Sequence, residues 1–143
     1  MAVSYMSLER LGNAIVDTNE ALVFDTIIAS EGLSSQFDYN TNTGVITFLE
    51  EGYYFIDWYV APQFGFTTDG SNWAIQTSVS GLTFTGSSHT KVSVTIGFAL
   101  INAEVGETVQ LLNASDGALT LSEAVNSKAG LIIYCVSTSN FSP

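Results

Sequence analysis

The chain has 143 residues, 46% of them hydrophobic and only 12% charged, so it can bury a core of its own and is not composed like a disordered segment. Its formal net charge is −11, with only Arg10, Lys91 and Lys128 basic. That balance argues against nucleic acid, whose phosphates need clustered Lys and Arg, and disfavours an anionic membrane surface.

The opening MAVSYMSLERLG lacks the basic start and apolar centre of a secretion signal, and SLERLGN is expected to form a brief helical turn. From there on, short runs rich in Val, Ile, Thr and aromatics are punctuated by Gly, Asn and Asp. They predict strands near 13–16, 21–28, 35–39, 44–48, 53–61, 73–79, 91–103, 107–113, 118–122 and 130–137. TNTG (41–44), TDGSN (68–72), EVG (104–106) and SDG (115–117) carry the residues that tight reversals require. No apolar run approaches the roughly 20 residues of a membrane-spanning helix. No linker or repeat divides the chain, so residues 1–143 are expected to be one domain, its core at about 13–137 and its polar tail at 138–143. Ten short strands without helices predict an all-β sandwich or barrel. The Cys–Trp–Cys framework of an immunoglobulin domain is missing, and a ten-stranded jelly roll fits better.

The stretch GYYFIDWYV (52–60) poses a problem for any two-layered sandwich. Side chains alternate along a strand, so Tyr54, Ile56, Trp58 and Val60 share one face, and Tyr53, Phe55, Asp57 and Tyr59 the other. Both faces are bulky and apolar. KVSVTIGFALINA (91–103) repeats the pattern, with Ile96, Phe98 and Leu100 opposing Gly97, Ala99 and Ile101. So does GLIIYCV (130–136), with Leu131, Ile133 and Cys135 opposing Ile132, Tyr134 and Val136. Helices could cover a second apolar face within one chain, but none is predicted here. The expected cover is another copy of the chain. Burying ~1,000 Å² of apolar surface would supply about 25 kcal/mol of gross transfer energy, much of it lost to association entropy.

The segment QFDYNTNTGVITFLEEGYYFIDWYV resembles the central part of the trimeric jelly rolls of tumour necrosis factors and complement globular heads. The residues that carry the resemblance are Phe37, Asn42, Thr43, Gly44, Ile46, Phe48, Gly52, Tyr54 and Ile56. Downstream, GFALINAEVGETVQLLN resembles a strand, Gly-bearing turn and strand of that family, and KAGLIIYCVS its last strand. Over residues 20–137 the chain is most similar to the C-terminal domains of bacterial collagen-like surface proteins of the Bacillus exosporium type. The resemblance implies a homotrimer in which Tyr53, Phe55, Asp57, Tyr59, Ile96, Phe98, Leu131, Ile133 and Cys135 face neighbouring subunits. Tyr54, Ile56, Trp58, Ile101, Ile132 and Tyr134 would then fill each protomer's core. No Gly–x–y collagen repeat occurs in the chain, and the receptor-binding loops of the animal cytokines have no counterpart.

No constellation for catalysis is apparent, and the chain is expected not to be an enzyme. The single cysteine, Cys135, lies in the apolar run LIIYCV and reads as a small buried hydrophobe. His89, in TGSSHTK, reads as a solvated loop residue. No cofactor is expected; calcium is the one ion with candidate ligands, either at the Asp57 carboxylates of three copies on a common axis or in the turns TDGSN and NASDG. Asp69 and Asp116 in those turns are explained by turn chemistry. Asn113 and Asn140 match the N-glycosylation pattern. Phe64, Phe66, Asp69, Asn72 and Trp73 would form a loop able to stack on sugars or dock a host surface protein. Two functions are thereby expected: a structural trimerisation head on a bacterial cell or spore surface, or a lectin-like or receptor-binding tip of an adhesin or phage fibre.

Overall fold

In a computed structural model, the described residues are 4–33, 35–65, 67, 68, 70–78 and 83–138. They form β1 (Tyr5–Arg10), β2 (Ile15–Val16), β3 (Thr26–Glu31), β4 (Phe37–Tyr39), β5 (Ile46–Phe48), β6 (Gly52–Val60) and β7 (Pro62–Gly65). There follow β8 (Ser71–Thr77), β9 (Thr83–Ser88), β10 (Thr95–Ala103), β11 (Thr108–Asn113), β12 (Leu119–Leu121) and β13 (Ala129–Thr138). One five-stranded sheet runs β10-β6-β13-β1-β3 and a second runs β4-β5-β11-β8-β9. A small third sheet, β2-β12-β7, adds Val16, Leu119 and Leu121 to the same core.

Alternation builds that core. Tyr54, Ile56, Trp58 and Val60 of β6 point inward, as do Ala99, Ile101 and Ala103 of β10. From the second sheet Phe37, Phe48, Ile75, Val109 and Leu111 meet them. Tyr54 packs edge-on to Phe37 at 5.6 Å between ring centroids and tilts against Phe48 at 4.4 Å. The expected all-β sandwich is therefore present, with thirteen strands among the described residues rather than ten.

The sequence reading missed three strands. SLERLGN is no helical turn, because Tyr5–Arg10 is extended, with Met6 and Leu8 buried and Ser7 and Glu9 turned outward. The core consequently begins at residue 6 rather than 13. The other two are the short β7 and β9. The TNTG turn behaves as expected, Gly44 adopting a φ of 77° that a side chain would disfavour.

Two buried phenols tie loops to this core. The Tyr39 hydroxyl accepts from the Phe24 N–H and donates to the Phe24 carbonyl, each at 2.8 Å. The Tyr54 hydroxyl donates to the Glu50 carbonyl at 2.7 Å. Burial, by disfavouring the phenolate, pushes both groups up to about 12. The folded state thus holds these protons more tightly than the unfolded chain, where a phenol titrates near 10. Their contribution is intact below pH 10 and is lost as the pH rises towards 12. Stability should fall above pH 10 by up to about 1.4 kcal/mol per pH unit for each phenol. Tyr39→Phe should roughly halve that slope in urea titrations between pH 10 and 11.5.

Candidate functional site

The outward face of the first sheet is where the sequence problem becomes geometry. Antiparallel register aligns β10, β6, β13 and β1 into rows. One row reads Leu100, Phe55, Tyr134, Tyr5; the next Phe98, Asp57, Ile132, Ser7; the third Ile96, Tyr59, Gly130, Glu9. Phe98 and Ile96 are 71% and 70% exposed, and Leu100, Ile132 and Val136 are likewise open to solvent. The Phe55 ring stacks against Phe98 at 6.2 Å and tilts against Tyr134 at 5.4 Å, giving an aromatic stripe across three strands. On the edge strand β3 the side chains of Ile27 and Ile28 are exposed as well, Ile27 lying opposite core-facing Leu8. Contiguous patches of this kind on a soluble domain mark interaction surfaces.

Gly130 leaves a shallow depression in that face, about 380 Å³ in volume, bordered by Ser7, Glu9, Asp57, Tyr59, Ile96 and Ile132. The Tyr59 ring lies over Gly130 so closely that a Cβ there would meet its Cε1 at 2.4 Å. The Tyr59 hydroxyl is hydrogen-bonded to Ser127 Oγ. Asp57 stands in the middle of the face, exposed, with no hydrogen-bond or ion-pair partner among the described residues.

Of the nine residues expected to face neighbouring copies, six lie on this outer face: Tyr53, Phe55, Asp57, Tyr59, Ile96 and Phe98. The remaining three do not. Leu131 and Ile133 are 2% and 0% exposed in the protomer core, and Cys135 shares their side and packs against it. The residues assigned to the core in that strand, Ile132 and Tyr134, are the ones that project outward. Pairing with β6 explains the inversion, since Ile133 lies opposite core-facing Ile56, and Ile132 opposite Asp57. Within LIIYCV every residue is apolar or aromatic, so composition alone could not set the phase. Burial pushes the Cys135 thiol above its ordinary value, which suits a packing residue.

The expected sugar-stacking loop also changes. Trp73 is wholly buried, its indole N–H donating to Ser71 Oγ at 2.9 Å. Phe64 is exposed, and Asn72 accepts from Ser87 Oγ at 2.5 Å. Phe66 and Asp69 lie outside the described residues. Asp116 caps its loop, accepting from the Thr68 N–H at 2.9 Å and from the Thr68 hydroxyl. Asn113 is fully buried, its amide donating to the Val16 and Gly117 carbonyls, so it is no glycan acceptor in the folded chain; Asn140 lies outside the described residues. His89 is exposed, as a solvated loop residue would be. Among the described residues no group of three or more His, Cys, Asp or Glu could hold a metal within one chain.

Compared by sequence, the chain matches no family model and none of the curated proteins. Compared by structure, it is similar to the globular domain of the zebrafish complement 1qA protein, with a TM-score of 0.63 at 12% identity over 92% of this chain and 94% of that one. Murine APRIL gives a TM-score of 0.67 at 11% identity over 94% of this chain and 100% of that one. The Eiger tumour necrosis factor of S. frugiperda gives 0.63 at 12% identity over 99% and 96%. The chain has the jelly-roll fold common to tumour-necrosis-factor-like and complement globular domains.

Because adjacent residues of β13 serve opposite faces, truncating them should have opposite consequences. Ile133→Ala should cost about 2–4 kcal/mol through the cavity it opens. Ile132→Ala should cost under about 1 kcal/mol. Urea unfolding at a dilution that keeps protomers apart measures both.

Proposed function

We propose that this chain is a non-catalytic head that associates as a homotrimer through the outer face of the first sheet and so holds three chains in register. The observation that carries the reading is the run of solvent-facing Ile96, Phe98, Leu100, Ile132, Tyr134 and Val136 on neighbouring strands, beside a protomer core that is complete without them. Three copies clustering on this face would hide it from water, and the fold likeness to complement and cytokine domains supports the same arrangement. Carried further, the proposal is that this head belongs to a bacterial surface or spore-coat protein outside the cell, a reading that draws on the resemblance of TNTGVITF and the Gly–Tyr–Tyr strand to collagen-like surface proteins. The recognition reading loses its main anchor with Trp73 in the core. Phe64 and Asn72 remain its accessible features, with sugar or a host protein as partner.

Sedimentation velocity at micromolar concentration tests the assembly. The expected particle has three times the 15.3 kDa chain mass. Phe98→Asp, which puts a charge on the face without touching the core, should shift it to the single-chain mass with an unchanged circular dichroism spectrum. A wild-type protein that sediments as a 15.3 kDa species overturns the proposal.

A further inference from the structure

The apolar face carries one carboxylate at its centre, and none of the strands that build the face sets a basic side chain beside it. Asp57 lies in register between Phe98 on β10 and Ile132 on β13, with Phe55 and Tyr59 before and after it on its own face of β6. β10 contributes no titratable group to its surroundings, only Ile96, Phe98 and Leu100. β13 adds the Tyr134 phenol, β6 itself the phenols of Tyr53 and Tyr59, and β1 beyond them Tyr5 and a second carboxyl, Glu9. Glu31 sits farther out, opposite Tyr5. Phenols as a class carry no charge between pH 5 and 8, so the charges on the strands around Asp57 are negative; the exposed His89 lies beyond Ile96, at the β10 edge of the face.

All three basic side chains are engaged elsewhere. Arg10 donates to the carbonyls of Gly12, Val23 and Asn13 and pairs with Asp25 at 3.6 Å. Lys128 is almost fully buried and donates to the Val125 carbonyl at 2.6 Å. Lys91 donates to the Gly65 carbonyl at 3.2 Å. A second copy laid squarely on this face therefore offers Asp57 apolar groups, hydroxyls, phenols or another carboxyl, with the exposed His89 only at the margin beyond Ile96.

We infer that self-association through this face is coupled to protonation of Asp57, so that assembly tightens as the pH falls. The inference rests on the assembly proposed above and adds its control. A carboxylate moved out of water without a cation is neutralised rather than buried charged, and identical carboxylates brought close reinforce this. The sign follows: exposed carboxyls as a class are ionised at neutral pH, while one shut away from water without a cation is held protonated. Association takes up protons and weakens as pH rises above the ordinary carboxyl range, by up to tenfold per pH unit for each proton retained. The established chemistry of the face also sets the direction of the Asn substitution, which keeps the shape and removes the charge.

Sedimentation equilibrium of the full chain between pH 5 and 8, in the presence of a chelator, tests this with wild type, Asp57→Asn and Glu9→Gln. The wild-type association constant should fall at least tenfold per pH unit between pH 6 and 8. Asp57→Asn should associate at least tenfold more tightly at pH 7.5 and show a flat profile, while Glu9→Gln keeps the wild-type slope. An Asp57→Asn protein that retains the wild-type slope overturns the inference, as does one that associates more weakly at every pH, which would mean a cationic partner across the interface. Association at pH 7.5 restored by calcium alone also overturns it, replacing the proton by a metal ion. Pronounced assembly with no pH dependence removes this inference and leaves the trimer reading standing. Single chains at every pH, in wild type and variant alike, remove both.

Discussion

The constraint on which the molecule depends is the two-sidedness of β6. Its nine residues form an interior strand of the first sheet, hydrogen-bonded to β10 on one side and β13 on the other. A central strand cannot rotate to hide one face without turning out the other, because alternate residues are fixed on opposite sides of the pleat. Trp58, Ile56 and Tyr54 hold their side in the core against the second sheet. The opposite side then has no choice of direction. Whatever Tyr53, Phe55, Asp57 and Tyr59 do, they do outside the sandwich.

The neighbouring strands inherit that division through register. Ala99 and Ile101 pair with Ile56 and Tyr54, so Phe98 and Leu100 are carried outward along with Asp57 and Phe55. The same holds for Ile132 and Tyr134 on β13. On the core side of β10, Gly97 and Ala99 lie opposite Trp58 and Ile56 and Ile101 opposite Tyr54, while Ile96, Phe98 and Leu100 project outward. This is the reverse of a strand adapted only to its own core, in which volume concentrates inward. Gly97 leaves the space that the Trp58 ring fills, so the bulk on the outer side of β10 is not needed by the core.

How much of this was legible in the chain depends on polar punctuation. β6 and β10 could be phased from sequence, the first by Asp57 and the second by Gly97 and the alanines, each marking one side. β13 carries no such mark between Leu131 and Val136, so its phase is decided only by the partner strand, which a linear reading does not contain. β1 failed differently. Its alternation of Met6 and Leu8 with Ser7 and Glu9 is strand-like, but the helix-favouring Leu, Glu and Arg of SLERLGN obscured a period of two over so few residues. Trp73 was misread because a tryptophan beside TDGSN looks like a loop residue, whereas Ser71 supplies a buried acceptor for its indole and Thr95 in turn donates to or accepts from that hydroxyl at 3.0 Å. A satisfied Trp belongs in the core.

The separation of the two faces has an energetic consequence. The core cluster draws on both five-stranded sheets and on β2 and β12, and none of the strongly exposed residues of the outer face belongs to it. Folding of the protomer and association of protomers are therefore written in alternate residues of the same strands, and substitutions at neighbouring positions perturb one without the other. Had the outer face been needed to complete the core, no folded protomer could exist apart from the assembly. In the assembly proposed above the protomer would fold first and then meet its copies, and the opposing terms at that encounter would be simple. Apolar area would drive the copies together, while the net charge of −11 and the carboxylate of Asp57 at the centre of that surface would hold them apart. A face so poor in charge would make the second term depend on very few groups, so that a single side chain at its centre would govern when the first term prevails.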